Sequence, residues 1–267
     1  MIHVNSNITA LKVITAFNDS QQNLTKSLQR LSTGLRVNSS KDDASGVGVG
    51  MRLNAQIARK NVVNDEVNNA IALLDTQDGV MDAANSVLER MAELTQLGTD
   101  ITATAAEQAI YQVEYDTLEE ELQGYLSEEF NGQALFANDG TVLSVSISDN
   151  TTQTASITLA NMEQDVYDIV NGGDVTTAAT YTAITTAINS LAELRAKNGA
   201  EQNRFERAAQ VLDTGITNLT AAYSRIMDAD TAEESVNKTK YDILQQSSLA
   251  MLVQANQSSE NILTLLE

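Results

Sequence analysis

Apolar residues recur at alternating steps of three and four along most of the chain, which is the spacing of one face of a coiled-coil helix. In the first segment this stripe consists of Ile14, Phe17, Gln21, Leu24, Leu28, Leu31 and Leu35. A second helix is predicted from about Asn54, with the face Val63, Val67, Ala70, Leu74, Gln77, Met81, Ala84, Leu88 and Met91. A third, over about 107–127, has the face Tyr111, Tyr115, Leu118, Leu122 and Tyr125.

The same spacing resumes in the last third of the chain. One helix has the face Ile184, Ile188, Leu191, Phe205, Ala209, Leu212, Ile216, Leu219 and Tyr223. A last helix is predicted from about Thr231, with Tyr241, Leu244, Met251, Ala255, Ile262 and Leu265. The predicted fold is therefore mainly α, a long antiparallel helical bundle or coiled coil.

A different period separates the two helical halves. Residues 143–148 (LSVSIS) and 155–160 (ASITLA) alternate apolar with mostly hydroxyl side chains, and the turn-forming DNTTQT lies between them. Strict alternation predicts strands, so we expect a small β-hairpin with one buried face. The following NGGDVTT, residues 171–177, is predicted to be a loop.

The first and last helices have incomplete seams. Each contains small or polar residues, namely Gln21, Ser248, Ala255 and Ser258. A fully buried Leu or Ile contributes about 1.5–3 kcal/mol, so such helices must pair with each other or with another molecule. We expect a marginal pairing that is completed only on assembly.

The stretch LQRLSTGLRVNSSKDDASGVGVG, residues 28–50, interrupts the helical pattern. Gly34 is a suitable C-terminal cap, and a serine with an aspartate three residues later resembles a capping box. The glycines at 46, 48 and 50 leave the backbone little side-chain support. Periodicity does not separate an ordinary loop from a jointed spoke between two packed regions. The predicted hinge residues are Gly34, Asp42, Asp43 and Gly46.

The amino-acid composition excludes most kinds of catalytic site. The 267 residues include no proline and no cysteine, and His3 is the one histidine. Average usage predicts roughly thirteen prolines, so their absence favours long helices. Thiolate and histidine metal sites and a catalytic triad are excluded, and neither an HExxH motif nor a glycine-rich phosphate loop occurs. We expect no enzymatic activity, no cofactor and no metal.

The charge distribution and the lack of recognisable targeting signals further restrict the classes of protein to which the chain can belong. The net charge of −20 is uneven: residues 1–60 carry eight Lys/Arg against three Asp/Glu, whereas residues 61–200 carry three against twenty-three. This distribution disfavours nucleic-acid binding. The N-terminus lacks the features of a cleaved secretory signal, and no apolar run is long enough to span a membrane, so any export is expected to use another route.

Several motifs resemble bacterial flagellin. The stretch LSTGLRVNSSKDDASG resembles its N-terminal signature, FNGQALF the end of its N-terminal half, and residues 198–230 with ILQQSSLAMLVQANQSSENILTLL its C-terminus. The resemblance covers about four-fifths of the chain in the right order. It implies a minimal flagellin: a structural subunit that self-assembles into the extracellular flagellar filament for swimming motility and is exported unfolded by the flagellar type III apparatus.

The resemblance also implies a domain plan and partners. The plan is an inner-domain helix with the start of the spoke (1–42), two halves of a helical core domain (43–138 and 181–227), a variable hairpin (139–180) and a second inner-domain helix (228–267). The stripe residues of the two inner helices would form an inner-tube seam. Expected partners are other copies of the chain, the export apparatus, an export chaperone, and cap and junction proteins. The alternatives are a hook–filament junction protein or a secreted receptor-binding factor.

The segment LERMAELTQL, residues 88–97, resembles the part of flagellins that the vertebrate Toll-like flagellin receptor recognises. Arg90, Leu94 and Glu114 are the candidate contact residues. The same residues also suit a structural role or a contact between subunits, because Leu88 and Met91 have core spacing beside a charged face.

Two other segments have both a functional and a structural interpretation. Hydroxyl groups in residues 141–158 suit O-linked sugars or an open hairpin face. The acidic DADTAEE, residues 228–234, lacks the glycine and the spaced glutamate of a calcium loop, so an aspartate cap on the last helix is the preferred interpretation.

Overall fold

The computed structural model describes residues 7–150 and 152–264, without the side chains of the last six. The helices are α1 Ile8–Thr33, α2 Ala44–Gly98, α3 Ala105–Tyr125, α4 Asp168–Val170, α5 Ala178–Met227 and α6 Thr231–Thr264. The strands are β1 Glu129–Phe130, β2 Gln133–Ala134, β3 Val142–Ser146 and β4 Thr154–Thr158, and a π-helical turn spans Glu163–Tyr167. The prediction of a mainly α chain with a small central hairpin is confirmed. No helix among the described residues is long and apolar enough to cross a membrane.

Local side-chain chemistry accounts for the helix ends. Asn7 caps α1 by accepting a hydrogen bond from the Ala10 N–H, and Gly34 ends α1 in the left-handed conformation, as predicted. Thr104 and Glu107 form a reciprocal capping box at α3. The Asp230 carboxylate accepts hydrogen bonds from the N–H groups of Ala232 and Glu233, which makes the DADTAEE motif a cap of α6.

The chain divides into two compact units. Residues 1–55 and 218–267 form one, here the terminal unit, in which α1 packs against α6. Residues 56–217 form the other, here the central unit. Helices α2 and α5 contribute residues to both units.

The core of the central unit is built on the predicted face of α2. All nine residues of that face, from Val63 to Met91, are buried, and Tyr115, Leu122, Ile184, Leu191, Phe205 and Leu212 of α3 and α5 are buried with them. Helices α2 and α5 run antiparallel: Asp78 pairs with Arg195 at 3.0 Å, and Asn64 binds Asp213 at 3.1 Å. The periodicity therefore located this core from sequence.

The predicted hairpin is present. Strands β3 and β4 are antiparallel, with Leu143 opposite Ile157 and Val145 opposite Ala155. Ala155 and Ile157 are buried and Leu143 and Val145 are partly buried, so the apolar positions of both strands pack against the core. Residues 171–177 form no regular element, as expected of a loop.

The structure corrects one helix boundary and adds two small elements. The prediction that α2 begins near Asn54 is wrong, because the helix already begins at Ala44 and includes all three glycines. The FNGQ segment forms the tight β1–β2 hairpin, in which Asn131 and Gly132 both have positive φ, as a type I′ turn requires. The π-helical turn and α4 follow β4 and were not predicted, because five and three residues are too few to show a period.

Candidate assembly surface

Helices α1 and α6 pair antiparallel over most of their length. Near one end the Arg30 Nη1 lies 3.6 Å from the Glu234 Oε2. Near the other end the Asn7 side-chain N–H donates to the Ala255 carbonyl at 3.0 Å. These two long-range contacts fix which residues of α1 and α6 face each other.

The side chains buried between these helices are small or polar. On α1 they are Ala10, Ser20 and Ser27, and on α6 they are Glu234 and Ser248. Ser20 satisfies its hydroxyl within its own helix, donating to the Ala16 carbonyl at 2.8 Å. The larger residues Phe17, Leu24, Leu31 and Leu252 are only half-buried. A pair of this kind gains little free energy from apolar burial within one chain.

Large apolar side chains of the same two helices face outward. They are Ile8, Leu11, Ile14 and Leu28 on α1, and Val236, Ile243, Leu244, Leu249, Met251 and Val253 on α6. Single exposed apolar residues are ordinary on any protein surface. Ten on two helices whose seam buries serine leave much apolar area outside the helix pair. This area, here called the outward apolar surface, would be buried only by contact with another molecule.

The sequence-predicted seam residues fall into three groups. Phe17, Leu24, Leu31 and Leu35 are half-buried in the terminal unit. Ile14, Leu28, Leu244 and Met251 are 42%, 45%, 41% and 58% exposed and belong to the outward apolar surface. The Ile262 side chain and Leu265 lie outside the described residues.

Sequence reasoning missed the buried serines and part of the outward surface. Two heptad lines of α1 are partly or fully buried: Ala10, Phe17, Leu24 and Leu31, and Val13, Ser20, Ser27 and Gly34. The second of them lies one residue before the line through Ile14, Gln21, Leu28 and Leu35. A search for large apolar residues selects the Phe17 and Ile14 lines and passes over the serines. Small residues repeating every seven positions, as at Ser20, Ser27 and Gly34, would have been the signal for the serine line.

Specific contacts attach the segment between α1 and α2 to the residues around the end of α5. The Arg36 N–H donates to the Met227 carbonyl at 2.7 Å, the Ala229 N–H donates to the Gly34 carbonyl at 2.8 Å, and Val37 is buried. The Arg36 guanidinium also donates to the Ile226 carbonyl. Backbone contacts of this kind join residues 34–37 to residues 226–229.

The predicted hinge residues all lie in this segment or at its end. Asp42 accepts from Ser39 and lies 3.1 Å from the Lys26 Nζ; the hydrogen bond from Lys26, then that from Ser39, lowers the pKa of the Asp42 carboxyl. Asp43 caps α2 by accepting from the Gly46 N–H at 2.8 Å. Gly46 is buried in the first turn of α2, so the expected break at the glycines is wrong, although the turn over 34–43 is real.

A second cluster on the central unit brings two of its three predicted residues together. The Arg90 Nε lies 2.7 Å from the Glu114 Oε1, and its Nη1 lies 2.8 Å from the Glu93 Oε2. The hydrogen bonds from Arg90 to Glu114, and then to Glu93, raise the pKa of the guanidinium. Leu94 is fully buried and offers no surface, so the candidate contact reduces to the charged pair.

Comparison with known proteins decides the family. A model of the bacterial flagellin N-terminal helical region matches residues 4–141, and a model of its C-terminal helical region matches residues 181–266. The chain belongs to the bacterial flagellin family. The predicted resemblance is confirmed, and the chain is a structural subunit of the flagellar filament and not an enzyme.

Curated relatives match along nearly their whole length. The flagellin of Bacillus subtilis (strain 168) is 33% identical over 307 aligned positions, covering 99% of this chain and all of the relative. The flagellar filament 30.7 kDa core protein of Treponema maltophilum is 32% identical over 283 positions, covering 99% of this chain and 98% of the relative.

A solved structure agrees in fold. The crystal structure of Bacillus cereus flagellin superposes with a TM-score of 0.51 at 22% identity, covering 60% of this chain and 94% of that one. Within the part of the chain that the structure describes, no three Asp, Glu, His or Cys side chains gather as a metal site.

Proposed function

We propose that copies of the chain polymerise through the outward apolar surface of α1 and α6, which would form the inner tube of the filament. This proposal rests on one observation: in the terminal unit the small side chains are buried and many large apolar ones are exposed. Serine and alanine are buried between the helices, whereas Leu11, Leu249 and Met251 are more than half exposed. Each such side chain that becomes fully buried between copies would contribute about 1.5–3 kcal/mol.

The proposal includes the finer roles expected of the family. The chain is exported unfolded by the flagellar type III apparatus with the help of a chaperone, meets cap and junction proteins, and acts outside the cell in motility. The weakly buried α1–α6 seam supports export, because a pair that gains little free energy within one chain unfolds at small cost. The turn over 34–43 would be the spoke, leading from α1 to α2.

A second contact between copies is proposed at the Arg90–Glu114 pair. Leu97, Ile110 and Val113 are exposed on the same helices, α2 and α3, so the pair lies on a surface of mixed apolar and charged character. Such a surface resembles the rim and centre of a protein interface. Recognition by the Toll-like receptor would use the same face. We favour the contact between copies over receptor binding.

Seeded polymerisation tests the main proposal. The double variant Leu11→Ser/Leu249→Ser removes two outward side chains, while Gln22→Ser/Gln246→Ser changes exposed polar positions of the same helices. We expect the apolar variant to raise the critical concentration by tenfold or more, since about 1.4 kcal/mol corresponds to tenfold. The polar control should elongate like the unaltered chain in electron micrographs.

The outcomes separate the candidate roles. Loss of growth in the apolar variant, with helix content kept, supports assembly through this surface. Equal growth of both variants would contradict it. A chain that stays monomeric with seeds present would favour the junction or receptor-binding role instead.

A further inference from the structure

We propose that the groove beside strand β3 is a docking site for an extended segment of a partner protein, which binds by adding a strand to β3. The segment would have apolar residues at alternate positions and a basic residue near its middle. The site lies wholly within the central unit, residues 56–217. Strand addition there therefore does not require assembly through the outward apolar surface of the terminal unit.

Strand β3 has an open edge. The Leu159 N–H donates to the Thr141 carbonyl, and in an antiparallel ladder hydrogen-bonded pairs alternate with pairs that are not hydrogen-bonded. The backbone groups of β3 that point away from β4 therefore belong to Val142, Ser144 and Ser146. None of these groups makes a hydrogen bond within the part of the chain that the structure describes.

The two edges of the hairpin differ in how they are protected. On the β4 edge, the Thr158 N–H donates to the Glu201 carboxylate of α5 at 3.2 Å. Proteins protect exposed edges with charged side chains, proline or a bulge. Residues 140–148 contain no charged residue and no proline, and the register of β3 with β4 runs without a bulge. The β3 edge is therefore a template on which another strand can pair.

A long groove separates this edge from helix α2. Its larger part has a volume of about 830 Å³ and its smaller part about 370 Å³. Glu66 of α2 and Ser146 of β3 line both parts, so the two are continuous. Helix α2 borders the groove from Ala58 to Leu73, which is roughly 22 Å of helix. An extended segment of about seven residues has this length at about 3.3 Å per residue.

Both ends of the groove are bounded. The β1–β2 turn closes one end with Asn131. At the other end Asp149 lies 3.3 Å from the Lys60 Nζ and 3.9 Å from an Arg59 guanidinium nitrogen. A strand held between a sheet edge and a helix is a known mode of peptide recognition, in which main-chain hydrogen bonds supply affinity and alternate side chains supply specificity.

The apolar floor of the groove is incompletely covered. Ile157 and Ala155 of β4 are each 1% exposed, whereas their partners Leu143 and Val145 on β3 are only partly buried. Phe130, at the closed end, is also partly buried. Apolar side chains on one face of an added strand would cover these three residues, which is why the segment is expected to alternate.

Electrostatics determines the charge of the segment. Glu66 is exposed in the middle of the groove and has no ion-pair partner among the described residues, whereas Asp149 is neutralised by Lys60 and Arg59. Residues 61–200 carry three Lys/Arg against twenty-three Asp/Glu. This field attracts a basic segment and repels a second copy of the same acidic unit.

A fluorescent peptide of sequence VTVKVTV is the probe, and fluorescence anisotropy follows its binding to the soluble full-length chain. Two further versions carry N-methyl groups on alternate residues, so that each blocks the donors of one peptide edge. We expect only one of them to lose at least about tenfold in affinity, because an added strand pairs through one edge. Replacing the lysine of the peptide by glutamate should also weaken binding. Glu66→Gln should abolish that preference for lysine, and Asp65→Asn, an exposed position outside the groove, should keep it.

A proline pair tests the edge of the protein itself. Ser144 and Ser156 lie opposite each other, both are exposed, and the N–H of each points away from the ladder. Proline is tolerated at such edge positions. We expect Ser144→Pro to weaken peptide binding by at least about tenfold and Ser156→Pro to leave it within about twofold.

Amide hydrogen exchange of the unaltered chain gives the same information without a substitution, and so keeps the test valid if a proline variant loses structure. Bound peptide should slow exchange of the Ser144 and Ser146 amides by at least about tenfold and leave the Ser156 amide unchanged.

Three results would overturn the proposal. The first is no binding at millimolar peptide. The second is equal binding of the parent peptide and both methylated versions, with Ser144 exchange unchanged, which would mean that no strand is added. The third is a dimer of the unaltered chain that Ser144→Pro abolishes in analytical ultracentrifugation, which would make a second copy the occupant. None of these measurements needs a filament, so failure of seeded growth and failure of peptide binding are separate outcomes.

Discussion

At the scale of single residues, Asp42 shows how one carboxylate can organise a turn. It accepts hydrogen bonds from the Ser39 N–H and hydroxyl and pairs with Lys26 of α1, and these contacts lower its pKa from the ordinary 3.8. A carboxyl with a depressed folded pKa adds stability that is fully present above its unfolded pKa and is lost as the pH falls through the folded value. We predict that Asp42→Asn lowers the melting temperature at pH 7, that the difference shrinks as the pH falls below 3.8, and that it is lost below the lowered folded pKa.

Circular dichroism melts of the two chains between neutral and acidic pH would check this prediction. Asp19→Asn, an exposed position on α1, is the matched control and should change little at any pH. A difference for Asp42→Asn that stays constant down to the acid limit would mean that the charge plays no part. The turn would then depend on the shape of the side chain alone.

At the scale of elements, the glycines of α2 occupy different environments. A Cβ on Gly46 would stand 2.5 Å from the Asp43 Oδ2, which caps the helix, whereas a Cβ on Gly48 would meet nothing within 4 Å. Inside a helix, alanine is more favourable than glycine by about 0.8–1.0 kcal/mol of helix-forming free energy. We therefore predict that Gly48→Ala stabilises the terminal unit by up to about 1 kcal/mol, while Gly46→Ala destabilises it by disturbing the cap. Thermal unfolding distinguishes the two signs. Equal effects of both substitutions would show that the cap tolerates the displacement.

The same glycines explain what periodicity could and could not predict. The buried face of α2 from Val63 to Met91 could be predicted because large apolar residues repeat there at helical spacing. Each of them gains free energy from burial in the core of the central unit. The start of α2 was not, since Gly46 and Gly48 lower local helix propensity while the Asp43 cap favours the helix at the same place. The buried serines of α1 were not predictable for a related reason: the pair buries Ser20 and Ser27, which a search for large apolar residues passes over.

At the scale of the whole molecule, charge opposes the contacts between copies. The chain carries −20, and residues 61–200 contribute three Lys/Arg against twenty-three Asp/Glu. Copies that approach one another at low ionic strength repel through this region, because charges are screened only beyond about 30 Å at 0.01 M salt but beyond about 8 Å at 0.15 M. The apolar surface of α1 and α6 is not weakened by added sodium chloride in this range. The rate of association at low salt should therefore be limited by electrostatic repulsion between copies and not by the strength of the apolar contacts.

We predict that elongation from a fixed number of seeds accelerates as sodium chloride rises from about 0.01 to 0.15 M. Light scattering would follow the rate. The variant Asp116→Asn/Glu120→Gln, which neutralises two exposed acids of α3, should elongate faster at low salt and depend less on salt. Elongation that slows with added salt would have the opposite meaning. It would indicate that opposite charges hold neighbouring copies together, with the basic residues 1–60 of one copy facing the acidic middle of the next, and the apolar surface would then have the lesser part in assembly.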